Sequence, residues 1–149
     1  MSLLTICTSH SPMMGILPVA RADDDLRSIY RGLSERVSSY EPDLVVIFAP
    51  DHMNGFAYEL MPPFCIGYAA TSIGDYGTHV GDINVATEDA KKLHAAATAA
   101  GFDVAISYRM RVDHGCAQPL QLIAGGLTTY PIIPIFINAA APPRPTPCR

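Results

Sequence analysis

The sequence lacks several features that mark whole classes of protein. Its 149 residues contain no apolar run of the roughly 18 to 20 residues that a membrane-spanning helix needs, and the longest run covers only 44–49. Only 16% of the residues are charged and the net charge is -4, so the basic surplus typical of nucleic-acid-binding proteins is absent. We therefore expect neither a membrane nor a nucleic acid as a partner.

Closely spaced cysteines are also absent. Cys7, Cys65, Cys116 and Cys148 form no CxxC pair, which argues against a zinc ribbon and offers no disulfide framework. The first residues show no basic segment followed by an apolar one, so they do not resemble a signal peptide. Reduced thiols and a cytoplasmic location are the expectation.

What the sequence does contain is an alternation of strand and helix patterns. Continuous apolar runs at 44–49 and 132–137 predict strands that are buried on both faces. Helical spacing of apolar residues predicts a helix from Asp23 to Tyr40, and Thr87 and Gly101 are the expected N-cap and stop of another. The remaining predicted elements are strands at 3–8, 64–68 and 103–108 and a short helix at 119–127.

This alternation predicts an α/β fold. The sheet should be mostly parallel or mixed, with helices on both of its faces, and the length suits a single domain. Residues 54–84 form a long irregular stretch that is rich in glycine, proline, asparagine and aromatic side chains. Long irregular stretches in small domains are often functional, so we expect part of a site there.

Three histidines follow the ends of predicted strands. His10, His52 and His114 would share one rim if those strands were parallel, and ligands of α/β sheets bind at the carboxyl ends of strands. Imidazole binds iron, zinc, copper or nickel, and two histidines with one carboxylate form the site of non-haem Fe(II) oxygenases. The neighbouring Asp51 and Asp113 would be further ligands or would orient the imidazole rings.

Interpretations without a metal or a catalytic role also stay open for these residues. Each of the three histidines could be a plain polar loop residue, because no HxH, HxxxH or HExxH spacing is present. His94 and His79 are better explained as packing or surface residues. Cys116 lies close to His114 in the sequence and could be a nucleophile, but a buried structural thiol is the simpler interpretation.

Five segments resemble the class III extradiol ring-cleavage dioxygenases, in particular the branch that acts on 3-(2,3-dihydroxyphenyl)propionate and 2,3-dihydroxycinnamate. These segments are 8–12 (TSHSP), 48–56 (FAPDHMNGF), 61–65 (MPPFC), 112–120 (VDHGCAQPL) and 136–138 (FIN). The similarity runs in order along the chain but covers about the amino-terminal half of such an enzyme. It therefore implies that residues 1–149 are the amino-terminal part of one incomplete dioxygenase domain, with a proline-rich end at 140–149.

The resemblance also implies roles for individual residues. His10 and His52 match the two histidine ligands of Fe(II), and His114 matches a histidine that acts as proton donor, with Asp113 in support. The family's glutamate ligand and a second catalytic histidine lie in the half that this chain does not include. Members of the family tend to form larger assemblies, so a homo-oligomer is expected.

The leading hypothesis is thus an Fe(II)-dependent oxidoreductase of aromatic-compound degradation. It would cleave the ring of a catechol such as 3-(2,3-dihydroxyphenyl)propionate with O2, giving a ring-opened hydroxy-keto dienoate. Two alternatives remain: a non-catalytic binding or assembly module on the same fold, and a zinc-dependent hydrolase that uses the same histidines.

Overall fold

The computed structural model describes residues 2–12, 22–142 and 144–146, so part of the proline-rich end at 140–149 lies outside the described residues. Helices and strands alternate along these parts, as expected for the α/β class. The helices are α1 (Ala22–Tyr40), α2 (Thr87–Ala99) and α3 (His114–Ile123). The strands are β1 (Val45–Ala49), β2 (Phe64–Gly67), β3 (Ala70–Ile73), β4 (Val80–Asp82), β5 (Ala105–Ser107), β6 (Met110–Val112) and β7 (Ile132–Ile137), and a short 3-10 turn covers Asp75–Gly77.

The described strands form two mixed sheets. In the four-stranded sheet the order is β1-β7-β2-β5, with β7 parallel to β1 and antiparallel to β2. In the three-stranded sheet the order is β4-β3-β6, with β3 parallel to β6 and antiparallel to β4. The predicted fold class, α/β with a mixed sheet, is therefore confirmed.

The core lies around β7 and α3. Ile132 and Leu120 are almost fully buried, and the rings of Phe56 and Phe136 stack with their centroids 4.0 Å apart. This cluster joins the four-stranded sheet to α3 and to the loop after β1. A second cluster packs Ala90 of α2 against the other face of the same sheet.

Strand β1 is less covered than expected. The continuous apolar run predicts burial on both faces, but Val46 is 42% exposed and Phe48 is 62% exposed. The reason is position: β1 is an edge strand whose sheet neighbour is β7, and among the described residues no element covers the face that carries these two side chains.

The expected strand at 3–8 is wrong, because residues 2–12 contain no strand. Leu4 and Ile6 instead pack against a buried cluster that contains Tyr30 and Val37 of α1. The apolar pattern correctly predicted that side chains of this segment are covered. A strand also needs a neighbouring strand for its backbone hydrogen bonds, and the pattern of one segment does not indicate whether such a neighbour exists.

Two helix starts also differ from expectation. Helix α3 begins at His114 and not at Pro119, because the Asp113 side chain accepts a hydrogen bond from the Gly115 N–H and caps the helix. Thr87 is not an N-cap: Ala86 holds that position, and the Thr87 hydroxyl donates to the Tyr68 carbonyl over 2.9 Å. Gly101 does follow the end of α2 with a positive φ of 86°.

None of the helices in the described parts of the chain is long and apolar enough to cross a membrane.

The glycine at position 55 is required by a close backbone approach. A Cβ atom on Gly55 would lie 2.1 Å from the Arg111 carbonyl oxygen, whereas one on Gly32, in the exposed middle of α1, would meet nothing within 4 Å. We expect Gly55→Ala to lower the free energy of unfolding by about 2 kcal/mol through overpacking. Gly32→Ala should raise it by up to about 1 kcal/mol through helix propensity. Urea unfolding followed by circular dichroism measures both, and equal effects of the two variants would contradict this account.

Candidate metal centre

The three histidines predicted from the sequence lie together. The Nε2 atoms of His10 and His52 are 3.3 Å apart, and the rings of His52 and His114 stack with centroids 4.3 Å apart and an interplanar angle of 19°. The centroids of His10 and His114 are 5.7 Å apart. One ring nitrogen from each histidine falls within 4.8 Å of the others.

The route by which they meet differs from the expected rim of parallel strands. His52 follows β1 of the four-stranded sheet, whereas His114 follows β6 of the three-stranded sheet. His10 follows no strand within residues 2–12. The cluster therefore lies where the ends of two different sheets and the start of α3 come together.

His10 is positioned by hydrogen bonds to the backbone on either side of it. The Tyr30 hydroxyl of α1 donates to the Ser9 carbonyl over 2.5 Å. The Gln118 side chain of α3 accepts from the Ser11 N–H and donates to the Ser11 carbonyl, each over 2.9 Å. Two helices thus fix the backbone that carries the His10 ring.

His52 is positioned by the carboxylate of Asp113, which is 0% exposed. Asp113 Oδ2 accepts from the His52 backbone N–H over 2.7 Å, lies 3.0 Å from His52 Nδ1 and accepts from the Asn54 side chain. Asp113 Oδ1 accepts from the Gly115 N–H. A carboxylate only accepts, so His52 carries its proton on Nδ1 and directs the Nε2 lone pair at His10.

Asp51 has a structural role in the same loop. Its carboxylate accepts hydrogen bonds from the backbone N–H groups of Asn54, Gly55 and Phe56 over 3.0 to 3.1 Å. Of the two carboxylates that the sequence offered as ligands or as orienting groups, Asp113 orients a histidine ring and Asp51 folds the loop that follows it.

The pKa values of two groups in the centre are shifted. Burial opposes ionisation of Asp113, but the hydrogen bonds from Asn54, His52 and Gly115 more than offset it, so its pKa is lowered. The pKa of His10 is lowered by burial and by the neighbouring His52 and His114. The result is an ionised carboxylate behind His52 and a neutral His10 ring, which is the form that binds a metal.

His114 is almost completely buried, with 2% of its surface exposed. Its Nδ1 atom lies 2.6 Å from Oδ2 of Asp75, and the Tyr76 ring meets it edge-on with centroids 4.9 Å apart. Its Nε2 atom is buried and has no hydrogen-bond partner among the described residues. Sequence reasoning missed Asp75, because no spacing or motif links it to a histidine 39 residues further along the chain.

Cys116 does not have the properties of a nucleophile. Its side chain is buried, and burial raises the pKa of the thiol to about 12. A neutral, enclosed thiol of this kind is inert, so the interpretation of Cys116 as a structural residue agrees with the structure.

Comparison with known families adds to this geometry. Residues 4–149 match the model of a family described as the catalytic LigB subunit of aromatic ring-opening dioxygenase. The chain belongs to the LigB family. The resemblance to extradiol dioxygenases seen in the sequence is thereby confirmed.

Curated relatives of this LigB-family chain carry the name 2,3-dihydroxyphenylpropionate/2,3-dihydroxicinnamic acid 1,2-dioxygenase. The protein from Photorhabdus laumondii is 49% identical over 150 residues, which cover 100% of this chain and 47% of the relative. The protein from Paraburkholderia phymatum is 48% identical, and the match covers 96% of this chain and 45% of the relative. The protein from Paraburkholderia xenovorans is 47% identical, and the match covers 100% of this chain and 47% of the relative. The LigB-family chain thus spans about half the length of these relatives.

The histidine cluster fits the metal dependence of LigB dioxygenases. Nitrogen atoms that share one zinc-like ion, each about 2.0 to 2.1 Å from it, can lie at most about 4.2 Å apart. The 3.3 Å between His10 Nε2 and His52 Nε2 satisfies this limit, and the Asp113 contact leaves the His52 lone pair available. Two groups of the described residues could hold an ion: the three histidines, and a group of Asp75, Asp113 and His114. Neither group contains a carboxylate together with both His10 and His52.

The Asp113 carboxylate generates a prediction about stability. We expect Asp113→Asn to lower the free energy of unfolding by about 2 to 4 kcal/mol. Both oxygens of the carboxylate accept hydrogen bonds, so an amide must turn its NH2 group either toward the donors of His52 and Asn54 or toward the Gly115 N–H and leave a buried donor unsatisfied. Asp103→Asn, at an exposed position, is the matched control and should have little effect. Urea unfolding of the three proteins measures the differences.

The difference in unfolding free energy between the parent chain and Asp113→Asn should depend on pH. Since the folded pKa of Asp113 is lowered, its ionisation stabilises the fold fully above the ordinary value of about 3.9. That contribution disappears as the pH falls through the lowered folded pKa. The gap between the parent chain and Asp113→Asn should therefore narrow in acid, and a gap that widens there would contradict the assignment.

Proposed function

We propose that this chain forms the metal-binding part of an Fe(II)-dependent extradiol dioxygenase that cleaves catechols. The observation that carries the proposal is the cluster of His10, His52 and His114, with ring nitrogens within 4.8 Å, in a chain that matches the LigB family along residues 4–149. The names of the relatives support 3-(2,3-dihydroxyphenyl)propionate or 2,3-dihydroxycinnamate as the substrate.

In this proposal His10 and His52 hold the iron. The lowered pKa of His10 keeps its ring neutral, so the ring has one nitrogen lone pair to offer a metal. Asp113 keeps the His52 proton on Nδ1, so the His52 ring presents its Nε2 lone pair. When bound, Fe(II) would bring the adjacent hydroxyl groups of a catechol together with O2 and would pass electrons between them.

His114 then acts as the group that moves a proton, with Asp113 in support through its contact with His52. The His114 ring stacks on the His52 ring, and its Nε2 atom has no hydrogen-bond partner among the described residues. It would take the proton of a substrate hydroxyl and return it to an oxygen atom of the opening ring. The overall reaction adds both atoms of O2 and breaks one ring carbon–carbon bond, which gives a hydroxy-keto dienoate.

The ligand assignment predicts loss of iron. We expect His10→Ala and His52→Ala each to lower the Fe(II) affinity of the chain at least about tenfold, because each removes a nitrogen ligand. His79→Ala, at an exposed position outside the cluster, and His94→Ala in α2 are the controls and should bind iron as the parent chain does. Anaerobic equilibrium dialysis with iron quantification measures this, and unchanged binding in both ligand variants would refute the assignment.

The activity is tested by ring cleavage. The resemblance implies a glutamate ligand and a second catalytic histidine outside residues 1–149, so the test uses the dioxygenase domain that contains this chain together with those two residues. Loaded with Fe(II), that domain should consume O2 and form a yellow product from 3-(2,3-dihydroxyphenyl)propionate, one O2 for each ring opened. Loaded with Zn(II) it should not, since zinc has no redox chemistry. His114→Ala should keep its iron and lose at least about 100-fold in rate. Full turnover in that variant would remove His114 from the proton-transfer role.

Two other functions are each favoured by one observation. A non-catalytic binding or assembly module is favoured because no carboxylate joins His10 and His52 among the described residues. Tight iron binding without O2 consumption would support it. A zinc-dependent hydrolase is favoured by the three-histidine donor set, and zinc in the purified protein together with no ring cleavage would support that.

Three expectations from the sequence stay predictions. We propose that residues 1–149 correspond to the amino-terminal part of one dioxygenase domain, which is supported by the share of each relative that the chain covers. A cytoplasmic location and a homo-oligomer also remain predictions.

A further inference from the structure

The buried His114 ring is held by a carboxylate from a distant loop. Asp75 Oδ2 lies 2.6 Å from His114 Nδ1, and the Asp75 side chain is itself largely shielded from solvent. The His52 ring covers one face of the His114 ring, and the Tyr76 ring meets it edge-on. His114 is therefore confined on several sides, but Asp75 is the polar group that contacts its Nδ1 atom.

The backbone of Asp75 is fixed by the turn between β3 and β4. The N–H and the hydroxyl of the buried Thr78 both donate to the Asp75 carbonyl, over 3.0 and 2.8 Å. Gly74 has a φ of 73°, and a Cβ atom at that position would lie 2.1 Å from a methyl carbon of Val80. Tyr76 takes a positive φ of 49° although it is not glycine. The turn presents the carboxylate in one defined position.

The adjacent Asp113 carboxylate contacts other groups. Its side-chain oxygens accept hydrogen bonds from His52 and Asn54 on one and from Gly115 on the other. Among the described residues, Asp75 Oδ2 contacts His114 and Asp75 Oδ1 has no hydrogen-bond partner. Asp113 therefore contacts the His52 ring, and Asp75 contacts the His114 ring.

We infer that Asp75 is a positioning residue for His114, whose carboxylate accepts the Nδ1 proton and so fixes the neutral ring as the Nδ1–H tautomer. The lone pair is then on Nε2, which is buried and has no hydrogen-bond partner among the described residues. The tautomer follows from geometry alone. Its consequence for catalysis rests on the proposed function, because only the Nδ1–H tautomer can take a proton from a substrate hydroxyl at Nε2.

Nitrogen NMR of the metal-free 149-residue chain tests the tautomer directly. In the parent chain the His114 ring should show a protonated Nδ1 and an unprotonated Nε2. Asp75→Asn places an amide there, which donates as well as accepts, so the ring should shift toward the Nε2–H form. Asp82→Asn, on β4 with its exposed side chain bonded to Thr71, should leave the His114 signals unchanged. An unchanged Nδ1–H signature in Asp75→Asn would overturn the inference.

Asp75→Glu separates positioning from folding. This variant keeps a carboxylate, so His114 should remain mainly in the Nδ1–H form, and the test stands even if Asp75→Asn unfolds. A folded Asp75→Glu chain whose His114 is in the Nε2–H form would also overturn the inference. In the iron-loaded domain that also contains the implied glutamate and second histidine, Asp75→Asn should lower kcat about 10 to 100-fold with KM and iron content nearly unchanged. An altered tautomer with full kcat would refute the positioning role, whereas an inactive parent domain with the expected tautomers would refute only the proposed function.

Discussion

The buried Asp113 carboxylate connects the parts of the chain on which the metal centre depends. It caps the first turn of α3, it holds the backbone of the loop after β1, and it fixes the His52 ring. One side chain thus joins the end of the four-stranded sheet to the helix that begins at His114. Because all three contacts use the ionised form, a neutral replacement of the same shape cannot reproduce them.

Much of the fold could be predicted because it is encoded locally. The helical spacing of apolar residues in α1 and the buried run of β7 both depend on near neighbours in the sequence. The errors arose where a distant partner decides the outcome. Residues 3–8 have the apolar pattern of a strand but no strand beside them, and β1 has the pattern of a covered strand but lies at an edge. Helix α3 begins before the predicted range of 119–127, because the Asp113 side chain caps it at His114.

The three histidines of the candidate site could be predicted from the sequence. The pairing of each ring with the carboxylate that orients it could not. His10, His52 and His114 stood out as histidines in loops and through the family resemblance, and the structure brings them together by a route through two sheets. The contact between Asp75 and His114 depends on the turn between β3 and β4, and neither of those strands was predicted. Which carboxylate serves which ring is a property of three-dimensional packing that spacing does not record.

The position of β7 constrains the order in which the protein can be assembled. Among the described strands it comes last in the sequence, yet it lies between β1 and β2 and bonds to both. While the chain is being synthesised, β1 has no sheet neighbour among the described strands until residues 132–137 emerge, more than 80 residues after β1 itself. During that interval the unpaired backbone groups and apolar side chains of β1 are open to other chains, which favours aggregation until β7 pairs with it.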